Sequence, residues 1–307
     1  MPGSTRQERD QWSGDDAVKI GVCSANSGPY TTRESLRSLT ELAEATGIES
    51  IWVSDHLVVA DPRSPPSPMD PQDPILDPVT ALAYLAGITS SVRLGTGVLV
   101  LPLRNPLVLA KALATVDVLS GGRLIVGIGV GYVEQEFAAI GVPFTDRGAL
   151  LEEHLAAMRS IWSERHPAAA GTFVQFDHVQ AFPHPLQAPH PPIVMGGYAP
   201  AVLRRTVREA DGWYGWGLDV GSTTRYLATL REIEAQVGRG EGLSALEVTV
   251  TPADAVDVTV ASSYEELGVD RLNLMLPWSA DEGGVAPFFE EVVAPLVDAQ
   301  RRHGAVR

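Results

Sequence analysis

Eight short, almost continuously apolar runs recur along this chain, and segments of helical character alternate with them. The runs are AVKIGVCSA (17–25), SIWVSD (50–55), VRLGTGVLVLP (92–102), RLIVGIGVG (123–131), PPIVMGG (191–197), GWYGWG (212–217), LEVTVTP (246–252) and RLNLMLP (271–277). Short β-branched runs without a polar face are what parallel strands look like when helices cover both sides of the sheet. Eight such units predict a single (β/α)8 barrel of the α/β class rather than an open doubly wound sheet. Two Rossmann-like halves would want a break between them, and no linker-like stretch divides the chain. The expectation is one barrel domain over residues 17–307, with 1–16 as a polar, flexible tail that has no hydrophobic segment of a secretory signal.

Local signals refine the frame. In TTRESLRSLTELAEATG (31–47), Thr31 and Glu34 have capping-box spacing, Leu36, Leu39, Leu42 and Ala43 form a stripe, and Gly47 marks the stop. Residues 60–78 are too rich in proline for helix or central strand and predict a long surface loop. Between the fourth and fifth strands the chain makes a longer excursion, helical over 148–164 and then alternating like a hairpin over 171–182. Asp117 and Arg123 flank a helix end and turn and predict a hydrogen-bonded brace beneath the barrel.

Composition narrows the function. With 45% hydrophobic residues the 307-residue chain can bury a large core, while a net charge of -15 argues against a nucleic-acid partner, which needs clustered Lys and Arg. No apolar run approaches the roughly 20 residues of a membrane span. Cys23 is the only cysteine, which excludes an internal disulfide and a cysteine-built zinc site and fits a reducing cytoplasm.

In such barrels chemistry sits at the C-terminal ends of the strands. That rule gathers Asp55 and His56 after strand two, Thr96, Gly97 and Val98 late in strand three, Gly129 and Gly131 at the end of strand four, and Gly196, Gly197 and Tyr198 after strand five. Glycines there either make tight strand-to-helix turns or let a flat ring or phosphate approach the backbone. Pro200 follows at a first helical position, leaving free amides for an anion. On the residues alone His56 is either a hydrogen-bonded rim residue or a donor aimed at an organic cofactor. His154, His166, His178, His184, His190 and His303 give no H-x-H pair or ligand set, so no metal is expected, and no G-x-S-x-G elbow supports a serine hydrolase. Of Trp213, Tyr214 and Trp216, core packing is the better reading, with Trp216 nearest the rim. The proline-rich loop and the 171–182 hairpin are either lids or passive surface.

The ordered set SIWVSDHLVV, VRLGTGVLVLPLRNP, TVDVLSGGRLIVGIGVG and PPIVMGGYAP…LRRTVREADGWYGW resembles the luciferase-like flavin and deazaflavin oxidoreductases from about residue 18 onward. The DH pair resembles that family's F420-dependent branch. The resemblance implies coenzyme F420, with FMN as the alternative, and a (β/α)8 barrel with an insertion before strand five. It implies that His56 approaches the deazaflavin ring, with Asp55 fixing its tautomer or holding the cofactor. A non-prolyl cis peptide would fall at Gly97–Val98, Thr96 would bond the ring edge, and Gly129, Gly131, Gly196, Gly197 and Tyr198 would line the ribityl-phosphate path. It implies hydride transfer to or from a small organic substrate by a homodimer. The FMN alternative is a two-component monooxygenase fed by a separate reductase, and a third is a non-catalytic flavin-binding protein. Two departures stand out: Tyr132 occupies the place of an acidic residue that the family's sugar-phosphate dehydrogenases carry after strand four, and Cys23 to Asn26 lack the acidic residue near strand one. Glu134 and Glu136 are nearby substitutes as acid or base, although helix-start carboxylates favour that position for dipole reasons alone.

Overall fold

Strands without a polar face must be covered on both sides, and here they close on themselves. The computed structural model describes residues 17–67, 69–278 and 284–305; the predicted 1–16 tail lies outside them. Its eight parallel strands are β1 (Lys19–Cys23), β2 (Ser50–Val53), β3 (Arg93–Thr96), β4 (Leu124–Gly129), β5 (Ile193–Gly196), β6 (Gly212–Leu218), β7 (Glu247–Pro252) and β8 (Arg271–Met275). Each pairs with its neighbour in sequence, and β1 pairs with β8 from Lys19 opposite Arg271 to Cys23 opposite Met275, which closes the barrel. After an interruption at Gly97–Val98, Leu99–Val100 pairs with the end of β4.

The helices that follow the first four strands, α1 (Arg33–Thr46), α2 (Pro78–Ile88), α3 (Pro106–Ser120) and α4 (Glu134–Ile140), are punctuated much as their sequences suggest. Gly47 and Gly121 end α1 and α3 in left-handed conformation. The capping box of α1 sits one residue later than expected: Thr32 and Ser35 cap each other, because Thr31 turns its hydroxyl onto the Gly28 carbonyl at 2.9 Å. The excursion before β5 contains α5 (Arg147–Ser163) and a two-rung hairpin pairing Ala169–Ala170 with Gln175–Phe176, shorter than the 171–182 alternation suggests. Asp117 and Arg123 do brace this end of the barrel, but through separate partners. Asp117 accepts from the backbone of Leu186 and Gln187, and Arg123 donates to Thr89 and the Val92 carbonyl.

The barrel interior is layered. Deepest is Arg271, fully buried, with Nε and Nη2 donating to Glu49 at 2.7 and 2.9 Å and Nη1 to Glu247 and Thr249. Its guanidinium lies 5.5 Å from the ring centroid of Trp52, and Trp52 stacks on Tyr214 at 5.6 Å. Removing one partner from a buried ion pair strands the other's charge, so Arg271→Met is expected to cost about 3–5 kcal/mol of stability in denaturant unfolding. A wild-type midpoint would contradict this account of the barrel floor.

Acid titration should show two opposed effects. Burial alone would raise the Glu49 carboxyl, but Arg271 outweighs it and holds the group at about 2; Glu44, despite its own desolvation, is held at about 2 by Ser91 and the amides of Ser90 and Val92. Both are depressed from 4.5, so their stabilisation is present above that value and is shed as pH falls toward 2. Asp270 runs the other way: burial raises it from 3.8 to about 6, so its ionisation penalises the fold and stability rises as pH drops through that window. Thermal midpoints should therefore hold or climb from neutral pH to about 5 and fall below about 4. A midpoint still climbing below pH 3 would refute the assignment.

Candidate active site

A cavity of about 930 Å³ opens at the C-terminal ends of the strands and reaches every cluster that the barrel rule gathers there. Of the ten residues named from the sequence, nine line it; Thr96 does not.

Val98 forms the floor. The Gly97–Val98 peptide is cis, at the position implied by the resemblance. A Cβ on Gly129 would lie 2.8 Å from the Val98 side chain, and one on Gly196 at 3.2 Å. These two glycines therefore make room for Val98 as well as leaving the rim low. Beneath, a Cβ on Gly97 would meet the Tyr214 ring at 3.0 Å, so the floor rests on the Trp52–Tyr214 stack. Tyr214 is buried and bonds Thr251 at 2.7 Å; burial pushes its hydroxyl well up, and burial likewise takes the Cys23 thiol below it to about 12. Neither group has the makings of an acid or base at neutral pH.

Thr96 differs from expectation. It is fully buried, and its hydroxyl donates to the Gly127 carbonyl at 2.7 Å and accepts from the Gly127 amide at 2.8 Å. The hydroxyl is engaged in joining β3 to β4 where the strand ladder breaks, and it does not line the cavity.

The DH pair also divides its labour otherwise than expected. Asp55 turns away from His56. Its carboxylate accepts from the Val100 amide at 2.9 Å and from Arg104 at 2.7 and 3.1 Å, which fixes the segment after the cis peptide. The partner of His56 is Glu136: Nδ1 lies 3.1 Å from Oε2, while Oε1 accepts from the Leu57 amide at 3.0 Å. Glu136 is 1% exposed although it sits in the first turn of α4, whereas Glu134 faces solvent as a dipole-favoured carboxylate should. A carboxylate that accepts from Nδ1–H leaves Nε2 to the cavity, where it has no partner among the described residues. Tyr132 stands edge-on to the imidazole, centroids 6.0 Å apart.

Across the mouth, Tyr198 donates to the Trp216 carbonyl. Gly196 and Gly197 lead into α6 (Pro200–Glu209), whose N-cap Ala199 makes no side-chain bond; the first amides of the helix have no carbonyl partner within it. Trp213 is buried and Trp216 is 40% exposed on the cavity, as the sequence suggests. The proline-rich loop contributes Arg63, Met69, Asp70 and Asp73 to the lining, whereas no residue of the 171–182 stretch lines it. Among the described residues no three His, Cys, Asp or Glu side chains gather as metal ligands, and no helix is long and apolar enough to cross a membrane.

A closed parallel barrel thus carries at its strand ends a large cavity with a floor poor in side chains and one imidazole anchored by a buried carboxylate. The chain belongs to the luciferase-like monooxygenase family, whose profile matches residues 19–287. It is 33% identical over 268 residues to an uncharacterised protein of Mycobacterium tuberculosis, covering 83% of this chain and 91% of that one. It is 36% identical over 207 residues to an F420-dependent glucose-6-phosphate dehydrogenase of Kineococcus radiotolerans, covering 65% of this chain and 58% of that enzyme. Among solved structures, an F420-dependent secondary alcohol dehydrogenase superposes with TM-score 0.70 at 16% identity, covering 91% of this chain and 99% of that one. The monooxygenase RslO1 of Streptomyces bottropensis does so with TM-score 0.63 at 23% identity, covering 94% and 82%. The two structures share the fold.

Proposed function

We propose that this protein is an F420-dependent oxidoreductase that exchanges a hydride between the deazaflavin and a small organic substrate. The observation that carries the reading is the imidazole of His56, held through Nδ1 by buried Glu136 with Nε2 left to an apolar cavity. The floor fits a flat ring, because Val98 is the one side chain rising between Gly129 and Gly196, and the unpartnered first amides of α6 suit a phosphate. The bound deazaflavin would supply the hydride chemistry. His56 holds or moves a proton at Nε2 beside the reacting centre, Glu136 keeps its ring orientation and tautomer, and Val98 supports the ring from below. Trp216 and the proline-rich loop limit water at the mouth. The same reading takes the working form to be a homodimer in the cytoplasm, which gel filtration with light scattering tests for its oligomeric part.

Glu136→Ala removes the acceptor from Nδ1. In ¹⁵N spectra of the cofactor-free protein, His56 should then change from one dominant Nδ1–H tautomer to a mixture; an unchanged spectrum would remove Glu136 from this role. The function itself is tested by anaerobic turnover. Loss of deazaflavin absorbance with an alcohol, or its return with a ketone, supports the reading. Oxygen consumption with reduced FMN and no activity with F420 would transfer the protein to the monooxygenase reading.

A further inference from the structure

The two sides of the cavity differ in chemistry, and the difference bears on the substrate. The ends of β6 and β8 present Trp216, Met275 and Trp278, which are 40, 42 and 47% exposed and all line the same cavity as His56. Ring faces and a thioether held open at a cavity mouth suit an apolar ring or chain. The charges at the mouth lean the other way from what an anion needs. Among the described lining residues Arg63 is the one Lys or Arg, and its Nη1 lies 3.1 Å from Asp70 Oδ1. Asp73 stands with them, its Oδ2 accepting from the Asp70 amide at 2.9 Å. The other lining carboxylate, Asp55, is engaged by Arg104.

On the side of the proline-rich loop, away from the α6 start that the reading above gives to the cofactor's phosphate, a phosphate ester or carboxylate would meet Asp70 and Asp73 with a single guanidinium already paired, whereas anion recognition by side chains is built from convergent Arg and Lys. We propose, resting on the hydride-transfer reading above, that the substrate is a neutral molecule with an apolar ring or chain and one carbonyl or hydroxyl group. Carboxylates and sugar phosphates are discriminated against, so the activity named for the Kineococcus relative does not carry over to this chain. The apolar body lies against Trp216, Met275 and Trp278, and its oxygen points toward His56.

Saturation-transfer NMR on the full chain tests this without requiring turnover. The probes are cyclohexanone, 4-oxocyclohexanecarboxylate and glucose 6-phosphate, each measured with and without F420. Cyclohexanone should bind at least about tenfold more tightly than either anion, a gap of one decade in dissociation constant. Trp278→Ala should weaken cyclohexanone. Asp70→Asn, which removes the carboxylate from Arg63, should narrow the gap by strengthening the carboxylate probe. Equal or tighter binding of either anion, or no binding of cyclohexanone, overturns the proposal. F420 titration separates the two readings. A protein that binds F420 yet prefers the carboxylate loses this substrate class and keeps the function. One that prefers cyclohexanone and does not bind F420 loses the function.

Discussion

His56→Ala is expected to lower turnover by roughly 10²–10⁴-fold, the usual contribution of a placed acid or base. The dissociation constant for the cofactor should move little, because the floor and the α6 amides are untouched. The fold should survive: His56 makes one side-chain hydrogen bond, to Glu136, and Glu136 keeps the Leu57 amide when the imidazole is gone. The decrease therefore belongs in kcat, with far-ultraviolet circular dichroism and the thermal midpoint near wild type. Unchanged kcat would mean that the imidazole is a rim residue after all. A loss confined to cofactor affinity would make it a binding group and leave the proton without a carrier.

The second large effect is structural and falls at Gly127. A Cβ there would lie 1.8 Å from the Thr96 carbonyl oxygen, a backbone atom that cannot rotate away. Neither strand can slide to relieve the clash, since the Thr96 hydroxyl holds both the amide and the carbonyl of Gly127. Gly127→Ala is thus expected to destabilise by about 3 kcal/mol or more, the upper end of overpacking costs. It should also disturb the cavity, because Gly97 and Val98 follow Thr96 directly. Gly87→Ala is the control. A Cβ at Gly87 meets nothing within 4 Å, and in the helix α2 alanine gains about 0.5–1 kcal/mol in propensity. If Gly127→Ala unfolded with a wild-type midpoint, the close approach of β3 and β4 would be wrong.

The barrel was legible because it is written in local order. Continuous apolar runs such as LIVGIG and stops such as Gly47 and Gly121 need only their neighbours to be understood. Placement of the site residues followed from the rule about strand ends, and it put Asp55, His56 and the glycines on one cavity. Partners were another matter. Glu136 is 80 residues from His56, and only the closed barrel shows that α4 carries its carboxylate back over β2. One signal was available: in VEQEF (133–137) Glu136 lies three residues after Val133 and directly before Phe137, on the apolar side of the helix start rather than on the side of Glu134 and Gln135. A carboxylate adjoining the apolar face of a helix directly after a strand end is a candidate for burial beside a site. The expectation that Asp55 fixes the His56 tautomer failed for the same reason, although Asp55 does line the cavity. Its sequence neighbour is the imidazole, yet Arg104 and the Val100 amide, far along the chain, are the groups within reach. Thr96 likewise stood in the right strand, and the ladder break at Gly127 took its hydroxyl.

The central claim is that this cavity takes the deazaflavin. Parallel fluorescence titrations of the purified protein with F420 and with FMN test it most directly. Saturable F420 binding with at least about tenfold weaker FMN binding is the predicted result. Tight FMN binding with none for F420 would contradict it and make the protein an oxygen-using member of the family, dependent on a separate reductase.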